Sequence, residues 1–169
     1  MSTFMGHMAR SGAVTTDCGV YQNYGIRFTC PGTWRVVTGE NFEKYTTLYI
    51  YDKERIHMVE EGEEPIISID IQEDTHEGSV QRFVNVQNAS VPEYDISSQT
   101  ITIGGKKAYR LRCRKGQMYC TDMEVVFANR KVYQFFNTTN ELAEKGSREK
   151  AELDKDYNDF ISGIAFYEL

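Results

Sequence analysis

The segment 72–77, QEDTHE, carries the side chains of this sequence best suited to bind a metal ion. Asp74, His76 and Glu77 offer carboxylate oxygens and an imidazole, which are donors that calcium, zinc and manganese take in proteins. A site of this kind would suit a metal-dependent hydrolase. The same residues also fit a solvated loop before a helix, because acids favour the positive N-terminal end of a helix. We favour the loop and predict neither a metal nor any other cofactor.

A catalytic nucleophile needs a base within hydrogen-bond reach, and the three histidines of this chain are scattered along the sequence. His57 has Glu54 and Glu60 nearby, but its position between strands is typical of an exposed loop histidine. Cys30 ends a strand and shares its apolar face, so we expect it to behave as a small buried hydrophobic residue. We therefore predict no catalytic residue and no enzymatic activity.

Two features favour binding to a protein partner. An acidic loop at 60–64 can attract a basic partner and raise the rate of association. A strand at 132–136 carries aromatic side chains, which are core if both faces of the strand are covered and a contact patch if one face is bare. We favour the core for these aromatic residues but keep them as candidates. The predicted partner-binding residues are Glu60, Glu61, Glu63, Glu64, Tyr133 and Phe135.

One predicted hairpin can pair in two registers, because side chains alternate between the two faces of a strand. A two-residue turn would place Cys113 opposite Cys120 and invite a disulfide, but it would mix polar and apolar residues on both faces. A three-residue loop at 116–118 instead pairs Leu111 with Met123. We choose this second register because it keeps the faces matched. Both cysteines are then expected as free thiols on opposite faces.

The other face of this hairpin carries alternating arginines, Arg110, Arg112 and Arg114, which could bind an anion. In the chosen register they face Asp122 and Glu124 on the neighbouring strand. Opposite charges across two strands contribute about 0.2–1 kcal/mol for each pair. We expect a neutralised sheet face here and no anion site.

The elements that must position these residues are mostly strands. Alternating apolar and polar residues, rich in β-branched and aromatic types, predict strands separated by short turns. A helical period appears in two segments, the first of them capped by Ser79. Strands are predicted at 24–30, 46–51, 65–72, 95–103, 107–114, 119–128 and 132–138, with turns at Gly104–Gly105, Lys115–Gly116 and Asn129–Arg130, and helices around 79–84 and over 147–166.

The first strand precedes the only tryptophan of the chain. Over 24–30 the alternation places Ile26 and Phe28 on the inner face, and Pro31 then ends the strand because proline cannot donate to a ladder. We expect Pro31–Gly32 to turn the chain so that Trp34 folds back over the sheet edge or a helix end. Trp34 is therefore predicted to be mostly buried.

These features together resemble the PsbP-like superfamily, whose members include extrinsic photosystem II proteins, a Ran-binding nuclear import factor and bacterial DcrB-like lipoproteins. The resemblance rests on the strand ending in Pro-x-x-Trp, on IxIGGKKAY (101–109), on KVYQFF (131–136) and on FISGIAF (160–166). It implies an α+β fold, an α/β/α sandwich whose central antiparallel sheet has about six strands, with a mid-chain helix and a C-terminal helix. It also implies partner binding or assembly without a common catalytic apparatus.

Composition excludes some classes of partner and predicts how the chain is divided. A net charge of −6 argues against general nucleic-acid binding, which needs a basic field. No apolar run approaches the roughly 20 residues that span a bilayer. Residues 1–17 are predicted to be a flexible tail or a remnant of cloning, and residues 18–169 a single domain. With a sizeable core the four cysteines are not needed as disulfides.

The sequence thus predicts a non-enzymatic binding or assembly-accessory domain. Among PsbP-like proteins the DcrB-like group fits the Pro-x-x-Trp start best, which slightly favours an exported or lipid-anchored bacterial protein. Cys18 departs from that pattern, because VTTD before it is not the small-residue run that precedes a lipidated cysteine. The alternatives are an intracellular adaptor or chaperone that binds through an exposed sheet face, and a metal-dependent hydrolase that uses the 72–77 cluster.

Overall fold

The computed structural model describes residues 14–42, 45–55, 57–59, 62–73, 85, 95–115, 118–119, 123–138 and 146–168. Most of these residues lie in antiparallel strands, and the helix α1 (Arg148–Ser162) lies near the C-terminal end, before the last strand. The strands are β1 (Val14–Asp17), β2 (Val20–Asn23), β3 (Ile26–Thr29), β4 (Trp34–Phe42), β5 (Tyr45–Asp52), β6 (His57–Val59), β7 (Gly62–Glu64), β8 (Ile67–Glu73), β9 (Asp95–Ile103), β10 (Lys106–Lys115), β11 (Met118–Tyr119), β12 (Met123–Ala128), β13 (Lys131–Asn137) and β14 (Ala165–Phe166).

The described strands form one large sheet and two small ones. The large sheet has nine strands, in the order β1-β4-β5-β8-β13-β12-β10, with β9 on the outer side of β10 and β11 on its inner side beside β12. A three-stranded sheet has the order β14-β3-β2, and β6 and β7 form a separate hairpin. The fold is therefore sheet-rich α+β, as expected, but its large sheet has more strands than the roughly six that we predicted for the central sheet.

Strand β4 is one source of the difference. Its residues Val36 and Val37 are both buried, at 0% and 4% exposure. A strand covered on both faces does not alternate apolar with polar residues, so period-two patterning fails to detect it. The burial of Trp34 was predicted, but the strand that begins at this residue was not.

Strand β1 is a second source. It pairs with β4 from Val14 opposite Thr38 to Asp17 opposite Arg35. These four residues belong to the segment 1–17 that we predicted to be a tail, so the large sheet includes residues on the N-terminal side of the predicted boundary. Residues 1–13 lie outside the described residues, and the tail remains a prediction for them.

Three hairpin turns have both central residues in the left-handed region, as a type I′ turn requires. The φ angles are 55° and 79° at Tyr24–Gly25, 58° and 75° at Gly104–Gly105, and 55° and 58° at Asn129–Arg130. The last two turns were predicted. The first was wrongly included in a strand over 24–30; β3 begins only at Ile26 because the turn to β2 precedes it.

The chosen hairpin register is confirmed in one part and wrong in another. Arg110 lies opposite Glu124 and Leu111 opposite Met123, as predicted. Nearer the tip, Lys115 lies opposite Met118, so two residues connect the strands instead of the predicted loop 116–118. The two ends of the pairing differ by one residue, as happens at a β-bulge. Cys120 and the Cys113 side chain lie outside the description, so their free thiols remain a prediction.

Helix α1 begins after Ser147, whose Oγ accepts a hydrogen bond from the Lys150 backbone N–H at 3.1 Å, the usual N-cap arrangement. Its buried stripe was predicted and consists of Leu153, Tyr157, Phe160 and Ile161. The helix ends at Ser162 and not at 166, because Ala165 and Phe166 leave it to pair with β3.

The main core lies between the large sheet on one side and, on the other, α1 and the three-stranded sheet β14-β3-β2. The inward isoleucines of β8, Ile67, Ile69 and Ile71, are at most 3% exposed, as their alternation predicted. A second buried cluster lies on the other face of the large sheet and contains Leu111, Val125 and Val132. The predicted mid-chain helix lies outside the described residues, except for Asn85, which is helical.

Candidate functional site

Charged side chains gather at one end of the large sheet, where β4, β5, β7 and α1 meet. We call this region the acidic end. A cavity of about 130 Å³ and an open groove of about 290 Å³ lie within it. The cavity is lined by Arg35, Tyr51, Asp52, Lys53, Arg55, Glu63 and Glu64. The groove is lined by Thr29, Cys30, Pro31, Trp34, Asp156, Asp159 and Phe160.

Arg35 organises the cavity. Its guanidinium forms an ion pair with Glu63 of β7 and lies 5.0 Å from the ring centre of Tyr51, a cation–π arrangement. Tyr51 is only 3% exposed. Burial, with lesser contributions from neighbouring Tyr49 and Glu63, raises the pKa of Tyr51 far above its ordinary value, so this phenol stays protonated.

Arg55 connects the cavity to α1. Its guanidinium lies 2.7 Å from Asp156 Oδ2 and 3.6 Å from Glu152 Oε2, both on the helix. It also lies 3.8 Å from the buried carboxylate of Asp52. Asp52 in turn accepts a hydrogen bond from the Glu54 backbone N–H at 3.0 Å. One arginine therefore joins the end of β5 to the middle of α1.

The groove has an apolar floor and an acidic rim. Trp34 is 3% exposed, which confirms the predicted burial. Its ring centre lies 6.2 Å from that of Phe160, and Phe160 packs edge-on against Phe28 at 4.9 Å. Asp156 and Asp159, one turn apart on α1, supply the charged rim.

Cys30 is not the free buried residue that we predicted. It forms a disulfide with Cys18, with the two Cα atoms 5.7 Å apart. Backbone hydrogen bonds flank this bridge, from Cys18 N to Trp34 O at 3.0 Å and from Cys30 N to Gly19 O at 3.2 Å. The pairing escaped sequence analysis because Cys18 stood at the supposed tail boundary and β2 was not recognised. Only the fold brings the two thiols together.

The predicted partner-binding residues that the structure describes lie in two different places, the acidic end and the main core. Glu63 and Glu64 lie in β7 at the acidic end and are half-buried, whereas Glu60 and Glu61 lie outside the described residues. Tyr133 and Phe135 are 0% exposed and belong to the main core. Their burial agrees with the core interpretation that we favoured, and it leaves neither ring exposed as the partner-binding residue that we also listed.

Tyr133 has a structural role at the opposite end of the molecule. Its hydroxyl donates to the Tyr24 carbonyl at 2.7 Å and accepts from Asn129 Nδ2 at 3.2 Å. Asn129 also donates to the Gly25 carbonyl at 3.2 Å. Burial raises the pKa of the Tyr133 phenol. These bonds hold the β2–β3 turn against the β12–β13 turn and so join the three-stranded sheet to the large sheet.

One arginine of the stripe is paired with an acid, whereas Arg112 is described and exposed. Arg110 Nε lies 3.3 Å from Glu124 Oε2, which supports the predicted paired sheet face. Glu124 is 5% exposed and also accepts a hydrogen bond from the Tyr157 hydroxyl of α1. Burial, followed by the neighbouring Glu124 charge, raises the pKa of Tyr157 well above its ordinary value. This polar group joins the helix to the sheet.

The metal candidates Asp74, His76 and Glu77 lie outside the described residues, as does the His57 side chain. Glu73, at the end of β8, pairs with Lys131 at 3.2 Å. Among the residues that the structure describes, no group of three His, Cys, Asp or Glu side chains could hold a metal ion. The described helical residues include no segment long and apolar enough to cross a membrane.

Arg35 and Arg55, which pair with carboxylates at the acidic end, were not predicted as site residues. Both are single arginines beside β-branched or acidic neighbours, with no motif around them. Apart from Asp52, which lies three residues before Arg55, their partners are distant in sequence. Arg35 and Glu63 are 28 residues apart, and Arg55 and Asp156 are 101 residues apart. No local signal could have identified them.

Comparison with known proteins places the fold. No protein-family model matches the chain, and no curated protein sequence matches it either. Among solved structures, the chain is similar to the solution structure of cyanobacterial PsbP (CyanoP) from Synechocystis sp. PCC 6803. The TM-score is 0.51 and the sequence identity 14%, over 93% of this chain and 94% of that one. The chain therefore has the PsbP-like fold that its sequence resemblance predicted.

Proposed function

We propose that this chain is a non-enzymatic binding or assembly-accessory domain that contacts a basic protein partner through its acidic end. The observation that carries the proposal is the charge of that region, where carboxylates outnumber cations seven to five. The carboxylates are Asp17, Asp52, Glu63, Glu64, Glu152, Asp156 and Asp159, and the cations are Arg35, Lys53, Arg55, Arg148 and Lys155.

A surface with excess negative charge raises the rate at which a basic partner associates, and the effect falls with salt. The side chains of Glu152 and Asp159 are 50% and 66% exposed, so a partner can reach them. The groove beside Asp159 adds apolar surface from Pro31, next to buried Trp34 and Phe160. Charge around a partly apolar groove suits recognition of a protein surface more than chemistry on a small molecule.

The fold supports an accessory role by analogy, because the structural neighbour is a PsbP and the resemblance implies partner binding. The Cys18–Cys30 disulfide supports the extracytoplasmic compartment, since disulfides persist in oxidising environments. We also propose that the chain is an exported bacterial protein of the DcrB-like kind. We further propose that its fold is a complete α/β/α sandwich, because a second buried cluster lies on the outer face of the large sheet.

The two alternatives have less support. An adaptor that binds through a bare sheet face would need exposed apolar residues, yet Val132, Tyr133, Gln134 and Phe135 of β13 are all at most 7% exposed. Among the described residues, the exposed large hydrophobic side chain is Val20, at 57%. The metal-dependent hydrolase rests on the 72–77 cluster, and titration with calcium, zinc or manganese under calorimetry tests it.

A lysine-rich peptide at low salt, followed by NMR chemical shifts, tests the proposal. We expect shifts in Glu63, Glu64, Glu152 and Asp156 that fade as salt is added. Substituting Glu64→Gln and Glu152→Gln together should weaken binding about threefold to tenfold, because a charge pair at a protein surface contributes up to about 1 kcal/mol. The control, Glu73→Gln with Glu168→Gln, makes the same change in net charge elsewhere. Equal weakening in both variants would show general charge attraction and contradict the proposal.

A further inference from the structure

Strand β9 (Asp95–Ile103) is an outer strand of the large sheet. It pairs with β10 along its whole length, and within the described parts of the chain it pairs with no other strand. The backbone N–H and C=O groups on its other side therefore point outward, as on any edge strand. Residues 97–100 are exposed, four in succession, so this edge is open to solvent.

Edge strands in natural proteins usually carry devices that prevent pairing with another chain. These are charged residues, especially lysine, together with proline, bulges or a very short length. The sequence from Ile96 to Gly105, ISSQTITIGG, has no charged residue and no proline. The β9–β10 register is also uninterrupted from Ile103 opposite Lys106 to Asp95 opposite Arg114, so no bulge twists the edge away.

The composition of this edge favours a second copy of the chain as its partner. Two copies that each carry a net charge of −6 repel one another, and an uncharged stretch is where that repulsion is weakest. A strongly charged partner finds no opposite charge on these residues. Threonine and isoleucine, which dominate the stretch 100–103, suit a paired strand.

We propose that β9 pairs antiparallel with β9 of a second copy, which joins two large sheets into one across a two-fold axis. An axis perpendicular to the sheet near Gln99 places Ser98 opposite Thr100 of the second copy and keeps the two faces of each sheet aligned. This surface is separate from the acidic end, so the proposal is independent of the proposed function. Edge pairing buries little side-chain area, so the dimer is weak and depends on concentration.

Sedimentation equilibrium from micromolar to millimolar protein tests the pairing. We expect the mean mass to rise from the monomer value of 19.5 kDa toward twice that value. Substituting Ser98→Lys and Thr100→Lys together should abolish the rise, because lysines then meet lysines across the axis. The matched control, Gln22→Lys with Asn158→Lys, adds the same charge at exposed positions on β2 and α1 and should still dimerise.

A charge-exchange experiment separates edge pairing from a folding defect. Ser98→Glu with Thr100→Glu should also be monomeric alone, whereas an equimolar mixture of the Lys and Glu variants should form a heterodimer. A monomer at all concentrations for the unsubstituted chain would overturn the proposal. A dimer that survives the Lys substitutions, or one that persists in non-reducing denaturing electrophoresis, would overturn it as well.

Discussion

The two outer strands of the large sheet, β1 and β9, each have backbone N–H and C=O groups on one side that pair with no described strand, and they differ in length, charge and attachment. β1 has four residues and ends at Asp17, which pairs with Lys53 at 2.7 Å. The Cys18–Cys30 disulfide follows β1 directly and attaches the end of this strand to the end of β3 in the three-stranded sheet. β9 has nine residues, an open side and no charge from Ile96 to Gly105. One edge is short, charged and covalently anchored, and the other is long, uncharged and accessible.

This difference indicates where stability and association lie. At the β1 side, a buried tryptophan, a disulfide and an ion pair converge within a few residues, so substitutions there should affect folding. At the β9 side, four successive side chains are exposed and their substitution should leave the fold intact while changing association. The comparison fails if β1-side substitutions are neutral or if exposed β9 substitutions unfold the chain.

The largest effect is expected from Trp34→Ala. Trp34 pairs with Asp52 at the start of β4 and packs on Phe160, and removing a buried tryptophan side chain costs about 3–5 kcal/mol. Urea denaturation followed by circular dichroism measures the loss, since the variant has no tryptophan fluorescence. Val20→Ala, at an exposed position of β2, is the control and should be nearly neutral. A loss below about 1 kcal/mol for Trp34→Ala would show that this end is not anchored by the ring.

The next effect concerns the disulfide. Replacing Cys18 and Cys30 together by serine should lower the free energy of unfolding by about 3 kcal/mol, because a bridge over 12 residues restricts the unfolded chain. Trp34 is the chain's single tryptophan, so its fluorescence reports this region in the same titration. Non-reducing mass spectrometry verifies the bridge in the unsubstituted chain. Four free thiols there would contradict the structure.

A smaller effect is expected in the turn that ends β9. A Cβ at Gly104 would lie 2.8 Å from the Phe166 ring and 3.0 Å from the Ile164 carbonyl, whereas a Cβ at Gly105 meets nothing within 4 Å. Both residues have positive φ, so either alanine costs roughly 1–2 kcal/mol of backbone strain. Gly104→Ala should therefore be the more destabilising of the two in thermal denaturation. Equal losses would show that β9 is not held against the C-terminal segment at this turn.

The smallest effect is a titration at β1. The Lys53 ammonium lowers the pKa of Asp17 below its ordinary 3.8, through a hydrogen bond and charge attraction. Because the pKa is lower in the folded state, the ion pair stabilises the fold fully at pH values above the ordinary pKa of Asp17. This contribution is lost as the pH falls through the folded-state pKa. NMR titration should give a midpoint below 3.8 that rises in Lys53→Gln. An unchanged midpoint in that variant would contradict the pairing.

Sequence patterning recovered β8, β9, β10 and β13 and the stripe of α1 close to their observed bounds. β8 alternates between buried and half-buried residues and α1 repeats with a helical period, whereas β9, β10 and β13 were recognised from β-branched and aromatic residues between turn signals. β4 escaped because Val36 and Val37 are both covered. β2 escaped because three of its four residues are exposed and leave little pattern. The tip of the β10–β11 hairpin escaped because a one-residue shift in pairing has no local signature.

The sequence by itself determined the local structure, namely the inward isoleucines of β8, two of the type I′ turns, the capped C-terminal helix and the burial of Trp34. These follow from short-range periodicity and steric preference, which neighbouring residues encode. Only the tertiary structure decided the Cys18–Cys30 pairing, the acidic end around Arg35 and Arg55, and the division of the sheet into an anchored and an open edge. Each depends on contacts between residues far apart in the chain, and the partner in such a contact is set by how the strands assemble.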